Sequence, residues 1–324
     1  GRGGGARVGG ARVPGRGRFF TTPWARAGAP YPRAGFSVPM SRRRFVALAG
    51  GGAVAALAGD AWLIEPRRVQ FTHHAVNART SAEQRAVRFV QITDLHLQQV
   101  ERMHRRIAAE VNRLAPDFIV LTGDSVDRAD KLGELRTFLA LLDRAIPKYA
   151  ILGNWEHWAQ VNLDELVALY RAASCRLLIN DHAVHETGGR TMRITGMDDL
   201  IGGRQDPRKA MRGAAADAHL VLAHCPRHRD VLGRAAVPTA VERPAATSTS
   251  FADATLVLSG HTHGGQVNLF GWAPMVPKGS SSYIRGWFRE PDKPPMYVCR
   301  GIGTSVVPVR LGARPEVAVF TMWV

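Results

Sequence analysis

The feature that most constrains the fold is an alternation of short apolar runs with amphipathic helical patterns. Three runs have the length and apolar content of buried strands: VRFVQIT (87–93), DFIVLTGD (117–124) and KYAILGN (148–154). The spacing of apolar residues predicts a helix after each run, over 100–114, 131–145 and 163–170. This repetition predicts an α/β fold whose first strands are parallel and buried on both faces.

The second half of the chain has a different pattern. HAVHET and RTMRIT flank Gly188-Gly189, which predicts a β-hairpin. Six further short strands are predicted: HLVLAH, ATLVLSGH, QVNLF, YIRGWF, MYVCR and EVAVFTM. Helices are expected only after Pro226 and near residues 209–216, and a surface loop over 233–252. We therefore predict one catalytic domain in which a second, more antiparallel sheet packs on the first.

The net charge of +16 is concentrated at the N-terminus. Residues 1–39 contain seven arginines and no acid, and removing these, Arg42–Arg44 and Asp60 leaves +7 for residues 61–324. This moderately basic remainder makes a nucleic-acid partner unlikely. Residues 1–39 are rich in Gly and Arg, and we predict a disordered extension. Because the first Met is Met40, two interpretations remain open: a natural extension, or upstream sequence that is not translated.

Residues 40–66 predict export or membrane anchoring. Ser41-Arg42-Arg43-Arg44-Phe45-Val46 is similar to a twin-arginine export motif, and Ala56-Leu57-Ala58 has the small-x-small pattern of a cleavage site. The uncharged run 45–59 would be about 22 Å long as a helix, short of the roughly 30 Å hydrocarbon core, unless it continues to Ile64. A cleaved signal and an N-terminal anchor both remain open, with the catalytic domain at 67–324.

Polar side chains follow five of the predicted strands. Because ligands gather at the carboxyl ends of strands in open α/β sheets, these residues are candidates for one site. They are Asp94, His96, Asp124, Asn154, His224, His261 and His263. Their oxygen and imidazole donors suit Mn, Fe, Zn or Co. Seven ligands are too many for one tetrahedral site, but they suit two divalent metal ions that share a bridging carboxylate.

The motifs DLH, GDSVDR, GN, the lone His224 and GHTH resemble, in this order, the signature of calcineurin-like metallophosphoesterases. The resemblance extends over roughly residues 87–323. GHTHGGQVNL and GIGTSVVPVR further resemble the exported or membrane-bound bacterial branch, which includes UDP-2,3-diacylglucosamine pyrophosphatase-like enzymes. The resemblance implies a four-layer α-β-β-α sandwich with two mixed β-sheets. It also implies a dinuclear phosphohydrolase, a phosphodiesterase or pyrophosphatase, in which a metal-bound hydroxide attacks a phosphate ester or diphosphate.

The family's ligands can be carried over residue by residue. The resemblance assigns Asp94, His96 and His263 to the first metal, Asp124 to the bridge, and Asn154, His224 and His261 to the second metal. Asp127 is expected to support or cap rather than to ligate. Asp198-Asp199 has two interpretations, a substrate-facing acidic pair or a plain turn.

The chain departs from the family pattern after Asn154. Family members usually carry His at the position of Trp155, and that imidazole is assigned to transition-state stabilisation or leaving-group protonation. We predict that His157 takes this role, because Asn154 and His157 share a face if a helical turn begins here. Two alternatives remain open: metals that suffice without a protein acid, and a catalytically weakened metal-binding scaffold.

Residues 271–288 bring aromatic and basic side chains near the predicted site. Lys278, Arg285 and Arg289 are candidates for pairing with a phosphate, while Trp272, Met275 and Trp287 are candidates for receiving acyl chains or a base. Ordinary loop packing is an equally good interpretation of each residue. Together with the N-terminal segment, they favour a lipid-linked or envelope substrate such as a UDP-2,3-diacylglucosamine-type diphosphate. The alternative from a different class is a nucleic-acid-binding protein that uses the Arg/Gly-rich tail.

Overall fold

The computed structural model describes residues 41–213, 215–235 and 251–324. The predicted extension 1–39 and most of the predicted loop 233–252 lie outside these residues. Contacts divide the chain into Gly1–Leu48 and Ala49–Val324. In the first unit, the described residues form the start of a helix, and the second unit contains the layered domain.

The described residues form helices and strands with the following bounds. The helices are α1 (Arg42–Gly59), α2 (Arg102–Leu114), α3 (Leu132–Leu141), α4 (Asn154–Trp158), α5 (Leu163–Ala172), α6 (Pro207–Ala210) and α7 (His228–Ala235). The strands are β1 (Gln70–Ala75), β2 (Ala86–Ile92), β3 (Phe118–Thr122), β4 (Lys148–Ile151), β5 (Cys175–Leu177), β6 (Asp181–Thr187), β7 (Arg190–Gly196), β8 (Ala218–Leu222), β9 (Leu256–Ser259), β10 (Gly286–Phe288), β11 (Met296–Val298) and β12 (Glu316–Trp323).

The first sheet has the strand order β1-β12-β2-β3-β4-β5. Strands β2 to β5 are parallel, which confirms the prediction for the first strands of the chain. The assignment of EVAVFTM to the second sheet is wrong, because β12 lies in the first sheet, antiparallel to β2 and parallel to β1. The physical reason is that strand pairing is long-range: β12 has two apolar faces, with Val317 and Val319 towards the helices and Phe320 towards the other sheet, and this pattern does not specify which strands it pairs with.

The second sheet has the order β10-β11-β9-β8-β7-β6. Its two edge pairs are antiparallel, including the predicted hairpin β6–β7, whereas the pairs between β11 and β7 are parallel. QVNLF forms only isolated bridges, Val267 with Leu311 and Leu269 with Trp272. YIRGWF contributes only β10, and the helix expected near 209–216 is the single turn α6.

Three buried apolar clusters separate four layers. The first lies between the first sheet and helices α2, α3 and α5, and it includes Ile107, Leu135 and Leu166. The second lies between the sheets, where the rings of Phe89 and Phe118 stack with 5.0 Å between centroids. The third covers the outer face of the second sheet. The α-β-β-α sandwich with two mixed sheets is confirmed.

Helix α1 continues through further helical turns, so that Arg42–Arg67 form 26 helical residues. This segment is long and apolar enough to cross a membrane by length and composition. Its last turns are attached to the catalytic domain. The Arg310 N–H donates to the Ala61 carbonyl (2.9 Å), and the Glu65 carboxylate accepts the N–H groups of Gly312 (3.1 Å) and Ala313 (2.7 Å). These contacts begin ahead of the predicted boundary at residue 67, which stays a prediction.

We expect Phe320→Ala to lower the free energy of unfolding by about 3–5 kcal/mol, because it leaves a cavity between the sheets. Phe320 is fully buried, and its ring lies 5.1 Å from Phe89 and 5.3 Å from Tyr297. The control, Val184→Ala, removes a side chain that is 51% exposed on β6 and should cost less than about 0.5 kcal/mol. Denaturant titration measures both, and equal costs would contradict the placement of β12.

Candidate metal centre

Loops after five parallel strands bring the seven predicted ligands together. β2 is followed by Asp94 and His96, β3 by Asp124, and β4 by Asn154 at the start of α4, while His224 follows β8 and His261 and His263 follow β9. All seven are buried, and none exposes more than 5% of its surface. The carboxyl ends of strands from both sheets therefore converge on one buried polar site.

Six of the seven side chains form two groups of three, and Asp124, a member of the second group, also faces the first. Ligand atoms of Asp94, His96 and His263 lie within 4.8 Å of one another, and so do those of Asp124, His224 and His261. The Asp124 Oδ2 lies 3.1 Å from His224 Nε2 and 3.7 Å from His96 Nε2. Asp124 therefore touches both groups, as the bridging position requires. The assignment of Asn154 and of each group to a particular metal stays a prediction.

The backbone at these loops is bent into an unusual conformation. Five of the seven residues have positive φ: Asp94 (51°), His96 (43°), Asp124 (52°), His261 (72°) and His263 (51°). Each such non-glycine residue costs on the order of 1–3 kcal/mol, and such residues concentrate at functional sites. Sharp turns of this kind let two side chains from one loop, such as His261 and His263, both point into the site.

Glycines allow the loops to approach one another closely. A Cβ on Gly153 would collide with the Asp124 carboxylate, and a Cβ on Gly260 would collide with Thr93 and with Asp94 Oδ2. At both positions, the absence of a side chain leaves the space that a neighbouring carboxylate occupies. The glycines before Asn154 and His261 are part of the site because only a residue without a side chain fits there.

Hydrogen bonds fix the orientation of three imidazoles. His224 Nδ1 lies 2.8 Å from the Thr122 carbonyl, His261 Nε2 lies 2.6 Å from the Lys278 carbonyl, and His263 Nδ1 lies 3.3 Å from the Gly303 carbonyl. A carbonyl accepts only, so each of these ring nitrogens is the donor. The other nitrogen of each ring then faces the cluster, which is the arrangement that metal-binding imidazoles adopt in proteins.

Unsatisfied polar atoms also fit a divalent cation. Asn154 Oδ1 is buried without a hydrogen-bond partner among the described residues. His96 Nε2 faces His263 Nε2 at 3.1 Å, and His224 Nε2 faces His261 Nδ1 at 3.3 Å. Two lone pairs that face one another repel, so each of these pairs needs either a proton on one nitrogen or a cation between the two. The donor set of carboxylate, amide and imidazole suits Mn, Fe, Zn or Co.

The electrostatics of the site favour the metal-binding protonation state at some ligands and oppose it at others. Burial alone would lower the pKa of His224, but the charge of Asp124 and their hydrogen bond raise it well above its usual range, and burial raises the pKa of Asp94. Burial alone would raise the pKa of Asp124, but the charge of His224 and their hydrogen bond bring it well below its usual range. Burial and the neighbouring His224 lower the pKa of His261 to about 4. Burial, then His96 and Arg310, lower the pKa of His263. At neutral pH Asp124 is therefore ionised and these two imidazoles are neutral, which are the forms that bind metals.

Glu156 is a site residue that the sequence analysis did not identify. It is 2% exposed, and its carboxylate accepts the N–H groups of Gly153 (2.8 Å), Asp124 (3.1 Å) and Ser125 (2.6 Å). Burial, followed by the charge of Asp124, raises its pKa to about 7. Glu156 thus ties the loop after β3 to the start of α4. The available signal was a Glu three residues after Gly153, a typical helix-capping spacing.

The residue after Asn154 has a structural role here. The Trp155 N–H donates to Asp124 Oδ1 (2.9 Å), and its ring contacts His96 edge-on at 5.9 Å and Trp158 at 5.4 Å. Helix α4 does begin at Asn154, as the prediction for His157 assumed. His157 Nε2, however, lies 2.8 Å from Asp198 Oδ1. This hydrogen bond raises the pKa of His157 against the effect of burial.

The other predicted residues lie around the two groups. Asp127 accepts from Gln98 (2.5 Å) and lies 3.9 Å from His96 Nδ1, a position that suits support rather than ligation. Asp198 and Asp199 accept backbone N–H groups within residues 199–204, and they also accept from side chains, Asp198 from His157 and Asp199 from Cys225, so a turn explains only part of their contacts. Arg289 lies over the ring of Trp287 with 4.0 Å to its centroid.

A groove of about 690 Å³ opens beside the two groups. Asp124, Asn154, His261 and His263 lie at its base, and Lys278 supplies a cationic group. Most of its wall is apolar: Trp155, Trp158, Ile201, Pro274, Met275, Val276, Pro277, Val306 and Val307. His157, Arg285, Arg289, Trp272 and Trp287 do not line it. The site therefore combines a buried polar base with an apolar wall.

Comparisons with known proteins agree with this geometry. Residues 87–265 match the family model described as calcineurin-like phosphoesterase. The chain is 28% identical over 305 residues to an uncharacterized metallophosphoesterase of Bacillus subtilis, YkuE, covering 87% of this chain and 98% of that protein. It is 30% identical over 212 residues to the Escherichia coli phosphodiesterase YaeI, covering 64% and 70%. A Danio rerio transmembrane protein with metallophosphoesterase domain is 28% identical over 247 residues, 71% of this chain and 52% of that protein.

The chain belongs to the calcineurin-like phosphoesterase family. It is therefore a hydrolase that acts on phosphoric esters. The family and the two groups of buried ligand residues together indicate that it binds divalent metal ions.

We expect Glu156→Gln to weaken Mn²⁺ binding by about 10–100-fold, because the amide offers one acceptor oxygen where three N–H groups need two. Isothermal titration of the metal-free protein measures this affinity. The control, Glu165→Gln, changes a carboxylate on α5 that is 53% exposed and should leave the affinity unchanged. An unchanged affinity in Glu156→Gln would contradict the role assigned to this carboxylate.

Proposed function

We propose that the protein is a dinuclear metal-dependent phosphodiesterase or pyrophosphatase. The observation that supports this most directly is the contact of Asp124 with both three-residue groups. Asp94, His96 and His263 would hold one metal, Asn154, His224 and His261 would hold the second, and Asp124 would be shared between them. Two such ions supply Lewis-acid stabilisation of the phosphate and activation of water when they are bound.

The residues of the chain then hold, orient and shield the reacting groups. The three histidine–carbonyl hydrogen bonds hold the other nitrogen of each ring towards the cluster, and Glu156 keeps the Asp124 loop against the start of α4. Lys278 lines the groove and offers a cation for a phosphate oxygen. Trp155 and Trp158 line the groove, where their rings would limit the access of water to a bound substrate. Orientation and exclusion of water are the parts of catalysis that these side chains provide.

The apolar wall supports a substrate with a lipid or other apolar part. It is formed by aromatic and aliphatic side chains directly beside the proposed metals. A lipid-linked or envelope phosphodiester or diphosphate, such as a UDP-2,3-diacylglucosamine-type compound, suits a groove with one polar end and one apolar side. This proposal agrees with the resemblance to the exported or membrane-bound branch of the family.

We propose that residues 40–66 direct the protein to the cell envelope, by the twin-arginine route or as a membrane anchor. Support comes from the apolar helix Arg42–Arg67 and from the similarity to the Danio rerio transmembrane protein with metallophosphoesterase domain. The contacts of Ala61 and Glu65 with residues 310–313 attach the last turns of the helix to the catalytic domain. Cleavage after Ala58 would leave these contacts in place.

The second candidate function is a metal-binding scaffold with weakened catalysis. The observation that favours it is Trp155, which cannot transfer a proton where the family usually has an imidazole. Retention of all seven ligand positions favours the enzyme. A nucleic-acid-binding role depends on residues 1–39, which lie outside the described residues.

The central test is hydrolysis of bis-p-nitrophenyl phosphate by the Mn²⁺-loaded protein. We expect Asp124→Asn to lower kcat by about 10²–10³-fold or more, because the bridging charge is lost. Chelation of the metal should have the same effect, and added Mn²⁺ should reverse it. The control, Asp130→Asn, changes an exposed acid paired with Arg128 and should retain activity. Stoichiometric metal binding without hydrolysis of any ester would favour the scaffold.

The proposal that His157 protonates the leaving oxygen has its own test. Removing a general acid slows poor leaving groups most, so His157→Ala should lower kcat by about 10²–10⁴-fold for a phenyl diester and much less for the p-nitrophenyl diester. Asp198→Asn should reproduce part of this difference, because Asp198 raises the pKa of His157. Full turnover of both diesters by His157→Ala would leave the metals as the sole source of acid catalysis.

A further inference from the structure

A tight hairpin beside the groove carries an unusual exposed tip. Leu269 and Trp272 exchange two backbone hydrogen bonds (2.9 and 3.0 Å), which leaves Phe270 and Gly271 as the turn. Both turn residues have positive φ, 53° and 97°. Such turns favour Asn-Gly, because the first position penalises a bulky side chain. Here that position holds Phe270, whose side chain is fully exposed, so neither the turn geometry nor burial explains a phenylalanine at this position.

The tip is part of a larger apolar surface at the mouth of the groove. We call this surface the apolar rim and define it as Leu269, Phe270, Trp272, Met275, Val306 and Val307. Trp272 is 65% exposed, Met275 is 68% exposed and Val306 is 90% exposed. Val306 also has a positive φ, 65°, which is rare for a β-branched residue. Exposed patches of this kind mark surfaces that contact another apolar phase.

The rim is connected to the end of the apolar helix. The Asn268 N–H donates to the Leu311 carbonyl (2.7 Å), which attaches the hairpin to residues 310–313. The same residues bind the helix end, through the Arg310 N–H to the Ala61 carbonyl and through the Glu65 carboxylate. A membrane surface in contact with the helix end would therefore lie close to the apolar rim.

Basic side chains surround the same helix end. Arg67 lines one hollow together with Arg68, Arg106 and the ion pair of Arg113 with Glu110, and it lines a second hollow together with Trp62, Thr304 and Pro308. Arg67, Arg68 and Arg106 are exposed. Arginines beside the end of an apolar helix attract anionic lipid headgroups. Aromatic side chains such as Phe270 and Trp272 are suited to the boundary between headgroups and acyl chains.

We propose that the apolar rim docks on an anionic lipid bilayer, with the hairpin tip inserted at the level of the headgroups. Docking here turns the mouth of the groove towards the membrane, so that a lipid-linked phosphate ester reaches the site without leaving the bilayer. The inference rests on the proposed membrane function, and it adds the surface and the orientation.

The test places an environment-sensitive fluorophore at the tip of the full chain. Cys175, Cys225 and Cys299 are buried, so a thiol probe labels the introduced cysteine of Phe270→Cys. The matched control is Val184→Cys, at an exposed valine on β6. In phosphatidylglycerol vesicles we expect a blue-shifted emission from position 270 that nitroxide-labelled lipids quench, and neither effect from position 184. Vesicles of phosphatidylcholine alone should give weaker quenching.

A second variant separates docking from catalysis. Phe270→Ser with Trp272→Ser should retain hydrolysis of soluble bis-p-nitrophenyl phosphate, since neither residue lines the groove, and should lose quenching of a probe at position 269 introduced by Leu269→Cys. An unquenched probe at position 270 in an active protein would overturn the docking surface. So would a blue shift without lipid that rises with protein concentration, which would indicate a second copy of the chain. Absence of soluble diester hydrolysis in the unmodified protein would instead count against the proposed enzyme.

Discussion

The buried carboxylate of Asp124 is the interaction on which the rest of the site depends. It reaches His96 on the first sheet and His224 on the second, and its other oxygen accepts the Trp155 N–H. A charge buried this deeply is stable only with partners on several sides. The ends of strands from both sheets therefore converge on one point, and Gly153 has no side chain because the carboxylate occupies that space.

The layered core makes this convergence possible. Five ligand residues have positive φ, each at a cost on the order of 1–3 kcal/mol. Buried parallel strands on either side fix the loop ends, and apolar clusters on both faces of each sheet hold those strands. Glu156 adds a direct connection between two loops by accepting three backbone N–H groups. The packing of the sandwich thus stabilises the strained backbone of the site.

The groove joins two kinds of chemistry. At its base lie side chains that suit divalent metals, and its wall is formed largely by aromatic and aliphatic groups. Trp155 belongs to both, because its backbone N–H supports Asp124 while its ring forms part of the wall. The resemblance implies a histidine at the position of Trp155. The indole adds apolar surface to the groove, and it cannot transfer a proton as an imidazole can.

Local patterns in the sequence determined the parallel strands, the β6–β7 hairpin and the identity of the seven residues at strand ends, because strand length, Gly placement and donor chemistry are readable over a few residues. Only the tertiary structure decided the sheet that contains β12, the partner of His157 and the three N–H groups around Glu156. Strand pairing such as Ala318 with Gln91 joins residues far apart in the chain, and the local pattern of β12 is the same in either sheet. The sequence thus determined which groups are available, and long-range packing decided which of them face one another.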